Sequence, residues 1–202
     1  MITDTRYATT AAAADGLVYV GAPSQTVIAL DARNGAQRWQ AHLDVASPFD
    51  KFPTFVWAEA DGKVYVVSGN QSGNAIYAFD AATGAQRWRI HTGTDNLSTP
   101  TVANGVVYFG SYDDHVYALD GATGALRWRF QTQDRVLTAP TVANGVVYVS
   151  ATESDHYVYA LDAATGTLRW RFEAGGVFFA PVVSGGLAYV GSNDGFLYAL
   201  NT

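Results

Sequence analysis

Thr99-Pro100-Thr101-Val102-Ala103-Asn104-Gly105-Val106-Val107-Tyr108-Phe109-Gly110-Ser111-Tyr112-Asp113-Asp114-His115-Val116-Tyr117-Ala118-Leu119-Asp120-Gly121-Ala122-Thr123-Gly124-Ala125-Leu126-Arg127-Trp128-Arg129-Phe130 is the stretch that decides the fold. It holds four short runs rich in β-branched and aromatic residues. Asn104-Gly105, Ser111 to Asp114 and Asp120 to Gly124 part them. Short runs of this kind between turn signals read as strands. Asn-Gly signals a tight hairpin, because both turn residues accept positive φ. The runs do not alternate cleanly between apolar and polar, as expected of sheets covered on both faces. No segment carries helical periodicity long enough for a helix.

The same pattern recurs outward in both directions. Five runs open on Gly16, Gly62, Gly105, Gly145 and Gly186, each followed three residues later by Tyr19, Tyr65, Tyr108, Tyr148 or Tyr189. Successive glycines are 46, 43, 40 and 41 residues apart. A strand-rich period near 40 is the mark of propeller blades. The expected fold is all-β, a β-propeller of four-stranded antiparallel blades with five repeats in one domain, 1–202. The blades fall at about 7–44, 53–92, 97–132, 137–173 and 178–202. The last repeat stops before its fourth strand, and the first begins after most of one. A closed five-bladed ring and a piece of a larger propeller both fit, and the piece is favoured.

Composition narrows the function classes. Hydrophobic residues make up 49% of the 202 and charged residues 15%, ample for a core. The net charge of -6 argues against binding nucleic acid through its phosphates. There is no cysteine, hence no disulfide, thiolate metal site or thiol nucleophile. No stretch is apolar enough to span a bilayer as a helix. The segment Met1 to Arg6 has no signal-peptide pattern.

Antiparallel order sorts the connections onto two sides. One side carries the Asn-Gly type turns and the Asp-x-x-(Thr/Asn)-Gly turns, and it is uniform. The other carries the second-to-third turns and the crossings to the next blade. Tyr-to-Asp spacing over the second-to-third turn is 12, 15, 12 and 14 in repeats one to four. Trp-to-Gly spacing over the crossing is 23, 17, 17 and 16. Variation confined to one side of a repeat array marks that side as the binding candidate.

The residues sort accordingly. Asp31, Asp80, Asp120 and Asp162 each stand four before a glycine and read as turn acceptors of backbone N–H groups. Trp39, Trp88, Trp128 and Trp170, one per outer strand, read as blade-to-blade packing. The arginines around them read as protection of outer edges against sheet-to-sheet pairing. Pro100, Pro140 and Pro181 mark the innermost strand, an edge where a missing N–H is tolerated. Trp57 holds the matching place in repeat two, beyond an inserted crossing with Phe49 and Phe52. Those aromatics are either a stacking platform or a packing plug. All four histidines, His42, His91, His115 and His156, fall on or beside the variable side. They share no ligand spacing, so no metal site is expected. The binding candidates are Trp57, Phe49, Phe52, His42, Asn70, His115, His156 and Asp155.

Tyr117 to Phe130 and Tyr159 to Phe172, with Ala29 to Trp39 and Tyr77 to Trp88, resemble the PQQ-like β-propeller repeat. The resemblance covers nearly the whole chain. It implies kinship with quinoprotein dehydrogenases, with BamB-like assembly lipoproteins and with sensor domains of receptor kinases. It favours a bacterial, periplasmic or extracellular setting. The leading expectation is a non-enzymatic binding or scaffold module for a protein, peptide or small envelope ligand, with no cofactor. One alternative is a fragment of a dehydrogenase using pyrroloquinoline quinone with calcium. Another is the ligand-sensing domain of a larger receptor.

Overall fold

In a computed structural model of the chain, the structure describes residues 11–22, 25–43, 54–70, 73–92, 97–151, 155–176 and 179–202, with backbone only at 54–58, 68–70 and 73. Every regular element among them is a β-strand, in five antiparallel sheets. The fold class is the all-β propeller with four-stranded blades. The chain divides into two compact units, 1–95 with 122–124, and 96–121 with 125–202.

The first unit holds two blades. One is β1 (Ala11–Ala14), β2 (Leu17–Ala22), β3 (Thr26–Asp31) and β4 (Gln37–His42). The next is β5 (Thr54–Ala60), β6 (Lys63–Asn70), β7 (Gly73–Asp80) and β8 (Gln86–His91). Their facing sides bury Tyr19, Val27, Ala29 and Trp39 against Val64, Val66, Tyr77 and Phe79.

The second unit holds three. Its blades are β9 (Thr101–Ala103) to β12 (Leu126–Gln131) through β10 (Val106–Gly110) and β11 (His115–Asp120), then β13 (Thr141–Ala143) to β16 (Leu168–Glu173) through β14 (Val146–Ser150) and β15 (Tyr157–Asp162). The last has three strands, β17 (Val182–Ser184), β18 (Leu187–Gly191) and β19 (Leu197–Asn201). Val147, Val149, Tyr159 and Leu161 of one blade pack on Val106, Tyr108 and Val116 of the blade before it.

The turn chemistry behaves as its residues require. Asp15, Asp61, Asn104 and Asn144 have φ of 49°, 53°, 50° and 51°, each ahead of a positive-φ glycine. These are the primed hairpin turns that match the strand twist. Each outer strand joins its neighbour through a bulge at one register position, between Ala29/Leu30, Ala78/Phe79, Ala118/Leu119 and Ala160/Leu161.

Candidate functional site

The uniform side is tied down by two devices. In the first, the turn carboxylate accepts from an arginine seven residues on. Arg38 reaches Asp31 at 2.6 Å, Arg87 reaches Asp80 at 2.6 Å, and Arg127 and Arg169 reach Asp120 and Asp162 at 2.7 Å. Asp31 also accepts from the Arg33 N–H at 2.9 Å and Asp80 from the Thr83 N–H at 2.9 Å. The Arg87 hydrogen bond, with help from Thr83, holds the Asp80 carboxyl down at about 2; Arg169 and Thr165 do the same for Asp162. The first arginine of each outer strand is therefore a turn clamp. In β8 and β16 a second arginine lies over a ring: Arg89 over Tyr77 at 5.4 Å and Arg171 over Tyr157 at 4.5 Å.

In the second device, a tryptophan locks onto the turn of the following blade. The Trp39 indole N–H donates to the Ala81 carbonyl at 2.8 Å, and Trp128 donates to Ala163 at 3.0 Å. The ring lies on the turn glycine. A Cβ on Gly84 would sit 2.6 Å from Trp39, and one on Gly166 would sit 2.6 Å from Trp128. Those glycines have φ of 72° as well, so the turn needs glycine twice over.

The variable side is built differently. One residue before the third strand takes the left-handed conformation whatever its type: Gln25 (φ 56°), Asp114 (φ 64°), His156 (φ 61°) and Gly195 (φ 89°). In three blades its carbonyl then receives the backbone N–H that opens the crossing. Leu43 donates to Gln25 at 2.8 Å, Thr132 to Asp114 at 2.8 Å and Ala174 to His156 at 2.7 Å. The bond ties loop to crossing and leaves the rest of each loop free to differ.

In the second unit a carboxylate and a tyrosine four residues later close each loop. The Tyr117 hydroxyl donates to Asp113 at 2.5 Å, Tyr159 to Asp155 at 2.8 and 2.9 Å, and Tyr198 to Asp194 at 2.7 Å. Two of these carboxylates also accept from the preceding blade's crossing: Gln133 N–H to Asp155 at 2.7 Å and Gly175 N–H to Asp194 at 3.0 Å. Asp155 is buried, and that burial pushes its carboxyl above the usual range despite these donors. Burial and Asp113 push the Tyr117 hydroxyl up to about 12.

The candidates separate by unit. In the first, His42 closes the β3–β4 pair, its Nδ1 3.2 Å from Thr26 Oγ1 and its Nε2 3.3 Å from Gln40 Nε2. Trp57 is the extra residue of a bulge between Val56 and Ala58, opposite β6. Asn70 pairs with Gly73 at the end of a lengthened β6–β7 ladder. The added spacing of repeat two is thus taken up by strand, not by loose loop. Phe49 and Phe52 lie outside the described residues. In the second unit, His115 Nδ1 stands 2.6 Å from the Asp113 carbonyl oxygen, and its ring lies 5.8 Å from Tyr117. His156 is exposed beside buried Asp155. Arg135 lies over Tyr112 at 5.1 Å, joining crossing to loop. Tyr112, Gln133, Arg135 and Tyr159 escaped the sequence reading. An Asp four residues before a Tyr, present at 113, 155 and 194, was the signal for the latch. Among the described residues no group of three His, Asp or Glu stands together as a cation site. No helix among them is long and apolar enough to cross a membrane.

Comparison with known proteins gives a consistent picture. A family model described as outer membrane protein assembly factor BamB matches residues 3–72, 27–135 and 72–202. The crystal structure of BamB from Moraxella catarrhalis superposes with a TM-score of 0.69 at 25% identity, over 92% of this chain and 58% of that one. Quinohemoprotein alcohol dehydrogenases from Pseudomonas putida HK5 and Comamonas testosteroni superpose with a TM-score of 0.69 at 21% identity. They share the fold, over 40% and 42% of their chains. The chain thus spans less than two thirds of each of these three structures. No protein of curated function matches it.

Proposed function

Because the chain belongs to the family described as outer membrane protein assembly factor BamB, a family of PQQ-like propeller repeats, we propose that it is a non-enzymatic binding or scaffold module. Its partner is a protein or peptide, or a small ligand, of a bacterial envelope. Its working surface is the variable side, in a periplasmic or extracellular setting. The observation that carries the reading is the contrast between the two sides. The uniform turns are committed internally, through Asp–Arg clamps and tryptophan seats. The opposite loops share a left-handed residue in four blades, a closing bond in three and the Asp–Tyr latch in the second unit, and beyond these they present different side chains, such as exposed His156. A rigid frame with divergent loops is how scaffolds carry recognition.

The dehydrogenase reading would need a place for pyrroloquinoline quinone and calcium. The experiment is photo-crosslinking in bacterial cells, with a benzophenone side chain at His156 or, as control, at Asn34 on the uniform side. Adducts with envelope proteins are expected from His156 only. Adducts from Asn34 alone, or a melting temperature raised by added quinone and calcium, would overturn the reading.

A further inference from the structure

We propose that Asp155 is a proton-operated latch, which draws the crossing at Gln133 onto the loop of the fourth blade more tightly in mild acid than at neutral pH. The carboxylate stands where two connections of the variable side meet. It accepts the Gln133 N–H of the crossing at 2.7 Å and the Tyr159 hydroxyl of its own blade at 2.8 and 2.9 Å. The next residue, His156, accepts the Ala174 N–H of the following crossing at 2.7 Å through its carbonyl. One short segment thus pins both crossings that flank the fourth blade. Gln133 lies beyond the end of β12 and ahead of β13, so its bond to Asp155 can break without unpairing a strand.

Burial makes this latch sensitive to protons. Asp155 is 2% exposed, whereas Asp113, which accepts from Tyr117 in the same way, keeps 30% of its side chain in water. Burial strips hydration from an ionised carboxylate and costs a neutral carboxyl much less. In the closed latch that cost outweighs the donors from Tyr159, Gln133, Tyr157 and Asp134 and lifts the carboxyl above its ordinary 3.8. When the latch opens, water returns and the carboxyl titrates near the ordinary value. The closed form therefore holds the proton more tightly than the open form. Closure is weakest at neutral pH, where both forms are ionised. It strengthens as the pH falls through the closed-form value, and the gain is complete below 3.8. Tyr159 donates throughout, because burial and Asp155 push its hydroxyl up. The neutral carboxyl still has an oxygen to accept the Gln133 N–H.

Charged and titratable neighbours surround it on several elements. The crossing brings Asp134 and Arg135, the loop brings His156, and β15 brings Tyr157 and Tyr159. β16 brings Arg171, which lies over Tyr157, and Glu173, which pairs opposite it. The fifth blade's loop brings Asp194, bonded to Gly175. Arg135 and Arg171 hold a fixed charge over this range. Asp194 is held at about 2, so it stays ionised there. Asp134, His156 and Glu173 are separated from Asp155 by substitution.

The test is amide hydrogen exchange of the full chain between about pH 7 and about pH 4, corrected for the intrinsic rate at each pH. Protection of the Gln133 amide should rise as the pH falls, by a factor approaching the ratio of the open and closed acid constants. NMR titration of the Asp155 carboxyl supplies the closed constant, with a midpoint above 3.8 expected. The Leu43 amide, which closes the first blade on a carbonyl, should stay level. Asp155→Asn keeps an acceptor for Gln133 without a titrating group, so its Gln133 amide should stay level too. Asp134→Asn, His156→Asn and Glu173→Gln should each keep the rise. A level or falling Gln133 amide in the parent, an equal rise at Leu43, or a rise that survives Asp155→Asn would overturn the proposal. So would a rise lost with any of the other three variants. If Asp155→Asn does not fold, the carboxyl midpoint still decides, since a value at or below 3.8 removes the latch.

Discussion

At the scale of single residues, the turn glycines carry two separate demands that can be measured apart. Gly145 has φ of 74° with nothing within 4 Å of a built Cβ. Gly145→Ala should cost only the left-handed penalty, about 1 kcal/mol. Gly166 has nearly the same φ, but the indole of Trp128 fills the space. Gly166→Ala should cost about 2 kcal/mol or more, since the ring must also move. Equal shifts of the urea midpoint for the two variants would show that the indole does not press on the turn. The turn chemistry was legible in advance at Asp31, Asp80, Asp120 and Asp162, where an acceptor stands four before a glycine. The tryptophan seat was not. It joins Trp39 to Ala81 and Trp128 to Ala163, and no local pattern reports a bond across 42 or 35 residues.

At the scale of elements, the innermost strands of the second unit are stitched by side chains. Thr101 Oγ1 donates to the Pro140 carbonyl at 2.6 Å, and Thr141 Oγ1 donates to the Pro181 carbonyl. Pro leaves its carbonyl as the only backbone group to satisfy, and the threonine of the preceding blade supplies the donor. Thr141→Val keeps the shape and deletes the donor, so it should cost about 1 kcal/mol in chemical denaturation. Val182 already stands at that position in the last blade, where Val182→Thr should change stability little. A Thr141→Val variant as stable as the parent would remove the stitch as a source of stability. Strand number and order were legible because each run is short, β-branched and bounded by turn residues. Loop length was not. The spacing of 15 between Tyr65 and Asp80 reads as a larger loop, yet β6 and β7 extend their ladder to Asn70↔Gly73. Spacing counts residues and does not say whether they are paired.

At the scale of the whole molecule, carboxylates set the response to acid. Asp80, Asp162 and Asp194 sit at about 2, below the ordinary 3.8, held there chiefly by Arg87, Arg169 and Tyr198 respectively. Groups lowered on folding add stability above their unfolded value and lose it as pH falls toward the folded one. Asp155 is raised by burial, so its contribution has the opposite sign and improves as the pH falls from its folded value toward the ordinary one. Stability should therefore drop steeply between about pH 4 and pH 2. Arg169→Gln should flatten that drop by freeing Asp162, and Asp155→Asn should remove the opposing gain at milder acidity. Urea midpoints across this range check both, and identical curves for parent and variants would refute the assignment. The tryptophan seats also bear on how such a chain can be altered. Because the turns at Gly84 and Gly166 are each gauged by an indole from the preceding module, those turns tolerate neither insertion nor lengthening. The loops opposite them carry no such gauge, so they can be exchanged between modules like cassettes while the joints stay in step.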